Sequence, residues 1–265
     1  MRYTYLTVER DEHVATVSLN RPEKLNTLSI DLMKEIIQAV REFQEDEVSR
    51  VVIFTGKGKN FSCGVDLADS NQSSSMMGAS MLKKLRQLDL GPKMIREIYE
   101  MSQITIAAVN GFALGGGACI AAACDFRIGA DDCRIGYPEV GLGMNLSWRA
   151  LPMCVNLIGA ARAKRMIILA QKENAETLLS WGFLDEVALK EELIAKAKEM
   201  AKAYAEKPPI AAQMVKKSVN AIASLTDQAV MHMDADQFML SVGTQDFMEG
   251  IGAFFQKRKP EFKGN

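Results

Sequence analysis

The sequence predicts an α/β fold, a largely parallel sheet with helices around it and a helical C-terminal region. Three observations predict it. Short runs that are apolar throughout, Val51 to Thr55 and Ile104 to Val109, recur between longer stretches of helical period. Glycine-rich turns stand at the ends of those runs, and after Gly159 the pattern is helical almost to the last residue. A strand that is apolar on both faces is one covered on both faces, as in parallel sheets. Strands that alternate with helices imply βαβ units.

Taken in chain order, Val14 to Leu19 reads as a strand entered from a turn at Asp11-Glu12. Asn20-Arg21-Pro22 ends it, since proline has no N–H for a ladder. From Ser29 the pattern turns helical, with Ile30, Met33, Ile36, Ile37, Val40 and Phe43 on one stripe. Ser29 is the expected N-cap, and Asp31 suits the positive first turn. Residues 68 to 81, rich in Ser, Asn and Met, read as a mobile loop, and helical period returns from Met81 to about Met101. Gly115-Gly116-Gly117 leads into a helix of small side chains, and Phe126 to Ile128 is a further strand. Helices are expected at about 160–170, 174–181, 191–206, 209–224 and 227–249. Gly182 serves as a C-cap and Pro208-Pro209 as a break that starts the next helix. Residues 1–200 form the expected core, and 201–265 a helical region for active-site cover and subunit contacts.

Composition narrows the function. The 265 residues are 48% apolar and 25% charged, with a formal net charge of −1. That balance carries no electrostatic footprint for nucleic acid. No run of about 18 apolar residues suggests a membrane span, and the alternating N-terminus lacks a signal-peptide core. The five cysteines are odd in number and show no CxxC metal spacing, so they read as reduced thiols of a cytoplasmic protein. Only His13 and His232 could serve a histidine-based triad.

Three segments could carry chemistry. Phe61-Ser62-Cys63-Gly64-Val65-Asp66-Leu67 follows one strand, and Asn110-Gly111 through Gly115-Gly116-Gly117 joins another to a helix. Both could be tight turns that pack helix on sheet. Two peptide N–H groups converging from such turns could equally form an oxyanion hole. The glycine spacing does not match a dinucleotide-binding fingerprint. The third segment, Tyr137-Pro138-Glu139-Val140-Gly141, sets a carboxylate among apolar neighbours. It is either a surface acid capping a turn or a proton shuttle of raised pKa.

In order and spacing these segments resemble the crotonase (enoyl-CoA hydratase/isomerase) family. The resemblance runs through Asn20-Arg21-Pro22 to Leu25-Asn26, Ser62 to Leu67, Asn110 to Gly117 and Pro138-Glu139. It continues into the tail from Glu249-Gly250 to Lys257-Arg258 and Phe262. It implies a crotonase-like superhelix of repeated ββα units, an acyl-CoA thioester substrate, no cofactor besides that coenzyme A, and a homotrimer or dimer of trimers. It also implies Glu139 as acid/base, with the Val65 and Gly116 N–H groups as oxyanion donors. Lys24, Leu25, Ser62, Gly64, Asp66, Leu67, Gly115, Trp148 and Lys257 fall at substrate- or CoA-binding positions, Lys257 near the CoA phosphates. Met76, Met77, Met81 and Met144 fall in stretches near the acyl pocket, where Trp148 either lines the pocket or packs in the core.

Hydratases of the family use two glutamates, and the position of the first holds Cys119. A thiol cannot orient water as a carboxylate does unless its pKa is strongly depressed. Dienoyl isomerases of the family use acids at the positions of Cys119 and Ser147, neither of which is acidic here. The favoured expectation is therefore an isomerase that moves a 3-enoyl double bond to position 2 with Glu139 alone. The alternatives are a hydratase or related lyase working with Glu139 alone, and a catalytically weak acyl-CoA-binding protein.

Overall fold

The computed structural model describes residues 3–67 and 78–265. Nine strands occur among them: β1 Leu6–Asp11, β2 Val14–Leu19, β3 Val51–Gly56, β4 Ile104–Val109, β5 Phe112–Leu114, β6 Phe126–Ala130, β7 Arg134–Gly136, β8 Lys172–Asn174 and β9 Glu186–Ala188. The large sheet has the order β1-β2-β3-β4-β6-β9, and a small one has β5-β7-β8. In the large sheet only β1 and β2 pair antiparallel, with Leu6 opposite Leu19. The remaining pairings are parallel.

The burial of each strand follows its position. β1 lies at an edge and is mostly exposed beyond Leu6, whereas every residue of β3 and β4 is buried. The continuously apolar runs of the sequence are therefore the two central strands. The edge strand β1 was not singled out from the sequence, because its alternation is weak and half polar.

Helices cover both faces. Helix α1 (Ile30–Gln44) starts at Ser29, whose hydroxyl accepts from the Leu32 N–H at 3.2 Å. Its buried stripe, Leu32, Met33, Ile36, Ile37, Val40 and Phe43, packs on α3 (Leu90–Tyr99), which follows α2 (Met81–Leu88). Helix α4 (Gly116–Ala123) is buried throughout and touches α3 and the long α5 (Ala150–Ile168). The α5 helix starts ten residues before the expected 160, and Gly159 (φ 77°, ψ 160°) kinks it. After α6 (Ala175–Trp181), α7 (Leu193–Ala205) lies on β2, β3, β4 and β6 with Ala197, Ala201 and Ala205 buried. Small side chains let that helix sit close to the sheet, and it runs straight across residue 200.

Helix α8 (Pro209–Ala223) is followed by three separate helices, α9 (Gln228–Met231), α10 (Asp234–Val242) and α11 (Gln245–Gln256). The single helix expected over 227–249 is thus broken. Thr244 accepts from the Phe247 N–H and caps α11 as a new helix, just after Gly243. Among the described residues no helix is long and apolar enough to cross a membrane.

A buried ion pair fastens α8 to the sheet. Lys216 Nζ lies 2.7 Å from Asp125 and donates to Gln103 O at 2.7 Å. Asp125 also accepts from the Thr105 N–H and hydroxyl. Lys216→Met would leave that carboxylate buried without its cation, an arrangement that costs about 3 kcal/mol. Urea unfolding should show a loss of that size; a loss below about 0.5 kcal/mol, the range of ordinary surface changes, would mean that water replaces the ammonium.

Candidate active site

The two glycine turns meet through one residue. Ser62 donates its N–H to Phe112 O (3.0 Å), and Leu114 donates its N–H to Ser62 O (2.9 Å). The Ser62 hydroxyl donates to Asn26 O (2.8 Å), and Cys63 N–H donates to Leu25 O. Asn26, fully buried, accepts from Arg21 N–H and donates to Lys57 O and Asn60 O. Three segments far apart in the sequence are thereby tied together.

The approach leaves no space for side chains at the junction. Gly64 has φ +86°, and a Cβ there would lie 2.8 Å from Leu114 O and 3.6 Å from Gly116 N. The peptides on either side of it therefore come close to the first turn of α4. Among the described residues, neither the Val65 nor the Gly116 N–H donates in the turn and loop hydrogen bonds. For Gly116 the reason is general: the first N–H groups of a helix have no intrahelical acceptor. For Val65 it is the parallel bridge to Leu28, which uses Gly64 O and Asp66 N–H instead.

Glu139 approaches the same junction from a third direction. β7 pairs with β5, and Gly115 N–H donates to Gly136 O, so the turn Glu139–Leu142 begins beside Gly115. A Cβ at Gly115 would stand 2.8 Å from Glu139 Oε1. Helix α11 backs the turn closely: a Cβ at Gly250 would meet Leu142 backbone atoms at 2.6–2.9 Å. Glu139 Oε2 is buried and has no hydrogen-bond partner among the described residues. Burial pushes the carboxyl up to about 7, against a small opposing influence of its own peptide N–H. Beside it the Cys119 thiol is also buried, and burial together with the nearby carboxylate pushes it well above the ordinary thiol value. Cys119 is a neutral thiol at physiological pH, consistent with the expectation that it is no base.

These groups surround a cavity of about 390 Å³. Of the residues singled out from the sequence, Gly64, Val65, Leu67, Gly115, Gly116, Glu139, Met144 and Trp148 line it. Lys24, Leu25, Ser62, Asp66 and Lys257 do not. Lys24 and Leu25 are exposed on the adjoining turn, and Ser62 is buried behind the cavity as the tie described above. Asp66 pairs with Arg21 at 3.2 Å, both side chains 12% exposed, so its carboxylate has a structural partner. In the tail, Arg258 is committed to Glu249, while Lys257 is exposed. Met81 starts α2 and is exposed; Met76 and Met77, with the loop expected around them, lie outside the described residues.

Sequence reading missed part of the lining. Met33 belongs to the α1 stripe read as core, and Phe238 and Phe247 to a C-terminal stripe read as contact surface or core. All three line the cavity, Phe238 and Phe247 because α10 and α11 fold back over it. Gly91 had one visible signal, a glycine inside a helical stretch, which often marks a close approach.

A pKa raised from 4.5 to about 7 has a consequence for stability. The folded state binds the Glu139 proton more tightly than the unfolded chain does. The stabilisation from the protonated form is complete below pH 4.5 and disappears as pH rises through 7, a change of about 3 kcal/mol. Glu139→Gln lacks this term. Its unfolding free energy should match that of the unsubstituted protein near pH 4.5 and exceed it by up to about 3 kcal/mol above pH 8. Equal pH dependence of the two proteins in urea titrations would show that the carboxylate is solvated.

Comparison with known proteins agrees with this architecture. The family model described as enoyl-CoA hydratase/isomerase matches residues 9–265. A crotonyl-CoA hydratase of Syntrophomonas wolfei is 36% identical over 99% of both chains. A short-chain-enoyl-CoA hydratase of Clostridium acetobutylicum is 33% identical over 98% of both. Among solved structures, an enoyl-CoA hydratase from Bacillus anthracis superposes with a TM-score of 0.77 at 31% identity, over 99% of this chain and 100% of that one. One from Mycobacterium avium subsp. paratuberculosis reaches 0.87 at 24% identity, over 99% and 100%, and there the likeness is one of fold. The chain belongs to the enoyl-CoA hydratase/isomerase family.

Proposed function

We propose that the protein adds water reversibly across the double bond of a short 2-enoyl-CoA, with Glu139 as its single acid/base. The observation that carries the mechanism is the buried Glu139 Oε2, which has no hydrogen-bond partner among the described residues, beside the junction of two turns where the Val65 and Gly116 N–H groups donate to no described residue. The direction toward hydration is supported by the relatives at 36% and 33% identity, whose names are those of short-chain hydratases.

In this reading the thioester oxygen accepts from the Val65 and Gly116 N–H groups. Ionised Glu139 takes a proton from water as the water oxygen bonds to the β-carbon. The electron pair of the double bond moves toward the carbonyl, and the enolate charge is held by the two donors, which stabilise it more than the starting thioester. Glu139, now protonated, delivers that proton to the α-carbon. A carboxyl titrating near 7 is suited to both steps, because both protonation states are accessible at neutral pH. The apolar wall of the cavity keeps the carboxylate desolvated and its proton affinity high.

A second reading is favoured by one feature, the neutral Cys119 where family hydratases carry another glutamate. With a single carboxylate the same site could remove the α-proton of a 3-enoyl thioester and return it at the γ-carbon. That was the leading expectation from sequence; the relatives now weigh toward hydration. The two readings share the donors and the acid/base and differ in whether water enters.

Absorbance of the conjugated thioester separates them. The unsubstituted protein should consume crotonyl-CoA, with kcat/KM rising with pH through about 7 as Glu139 ionises. Glu139→Gln should lower kcat/KM by about 100-fold or more, the usual contribution of a general acid/base. Conjugation of a 3-enoyl-CoA without loss of crotonyl-CoA would establish the isomerase instead. An undiminished rate in Glu139→Gln would sink both readings.

A further inference from the structure

One wall of the cavity is unusual in how tightly it is held. The Trp148 indole lies between two glycines from different helices. A Cβ at Gly91 would stand 2.0–2.5 Å from its ring atoms, and one at Gly116 would stand 2.6 Å from its far edge. Any residue with a side chain at either position would displace the ring. The turn that carries the indole has an uncommon backbone, Trp148 and Arg149 both having φ +61° although neither is glycine. The Arg149 N–H donates to Asp234 on α10 at 2.9 Å, which pins this turn to the C-terminal helices.

Behind that ring lies a second cavity of about 210 Å³. The two cavities share four lining residues, Leu88, Ser147, Trp148 and Phe238. Pro92 and Met231 continue the apolar side of the second space, while Asp89, Lys93, Arg96, His232 and Asp234 give the rest of it a charged and polar lining. Trp148 is the bulkiest of the shared four, and it is the one locked against both α3 and α4. On this side the first cavity ends at the indole, and room exists beyond it.

We propose that Trp148 is the specificity-determining residue of this site, a fixed partition that closes the acyl cavity and restricts the protein to short acyl chains. This rests on the acyl-CoA reading above and goes beyond it by naming what sets the chain length. Removing the indole should join the two cavities. The chain would then extend past Ser147 along the Leu88, Pro92, Met231 and Phe238 side of the space now cut off. Because Trp148 also packs against Gly116, any disturbance of the oxyanion donors by its removal falls on every substrate alike. A ratio between chain lengths cancels that common effect.

The test compares the unsubstituted protein, Trp148→Ala and Trp148→Phe by calorimetric binding of butyryl-CoA and decanoyl-CoA. Turnover of crotonyl-CoA and 2-decenoyl-CoA is measured alongside. In Trp148→Ala the preference for the ten-carbon over the four-carbon chain should rise by about tenfold or more, as expected when apolar space for several methylenes opens. Trp148→Phe keeps an aromatic ring and the fold, and should shift the ratio the same way by less. An unchanged ratio in both variants overturns the partition while leaving the Glu139 reading intact. Failure of the unsubstituted protein to bind butyryl-CoA overturns the acyl-CoA reading and the partition with it.

Discussion

The site depends on the Ser62 peptide, which donates to Phe112 O and accepts from Leu114 N–H. These two bonds hold the turn after β3 against the turn before α4, and everything at the cavity mouth takes its position from that contact. The spacing leaves no room for a Cβ at Gly64 or at Gly117, where it would fall 2.4 Å from Ser62 O. Glycine at these positions is a packing requirement before it is anything else. That the Val65 and Gly116 N–H groups donate to no described residue is a by-product of the same geometry. One is left over by a parallel bridge, and the other by the start of a helix.

The electrostatics of Glu139 follow from what surrounds it. No described cation or donor side chain reaches its buried Oε2, and its neighbours are a neutral thiol, a glycine turn and apolar side chains. A carboxylate stripped of water and given no partner holds its proton more tightly. Burial would normally be selected against for such a group, since the ionised form destabilises the fold. Its position at the lining of a cavity is the pattern expected of a group used for proton transfer. Helix α11 maintains that environment, with Gly250 set flush against the Glu139 turn and Phe247 facing the cavity.

Two residues give the cavity its confined character. Cys119 presents a buried neutral thiol, and Trp148 fills the space that two glycines leave between α3 and α4. A confined apolar site with one buried carboxyl is suited to proton transfer. The C-terminal helices complete it from the far end of the sequence, through Phe238, Phe247 and the Asp234 bond to the Trp148 turn.

The central strands, the glycine turns and the carboxylate turn were legible from the sequence because each is a local pattern. Apolar runs marked β3 and β4, Ser29 marked the start of α1, and Pro138-Glu139 stood out at its turn. Three-residue strands such as β7 and β8 were not legible, since so short a segment has no period, and neither was the division of the last helical stretch at Thr244. What only the tertiary structure decided is the environment of each group. Asp66 proved to be the partner of Arg21, the Phe238 and Phe247 stripe proved to be cavity wall, and Gly91 proved to be the seat of an indole. Burial, ion pairing and close approach depend on atoms contributed by distant segments. A pattern along the chain names the residue, and packing across the chain determines its pKa and its neighbours.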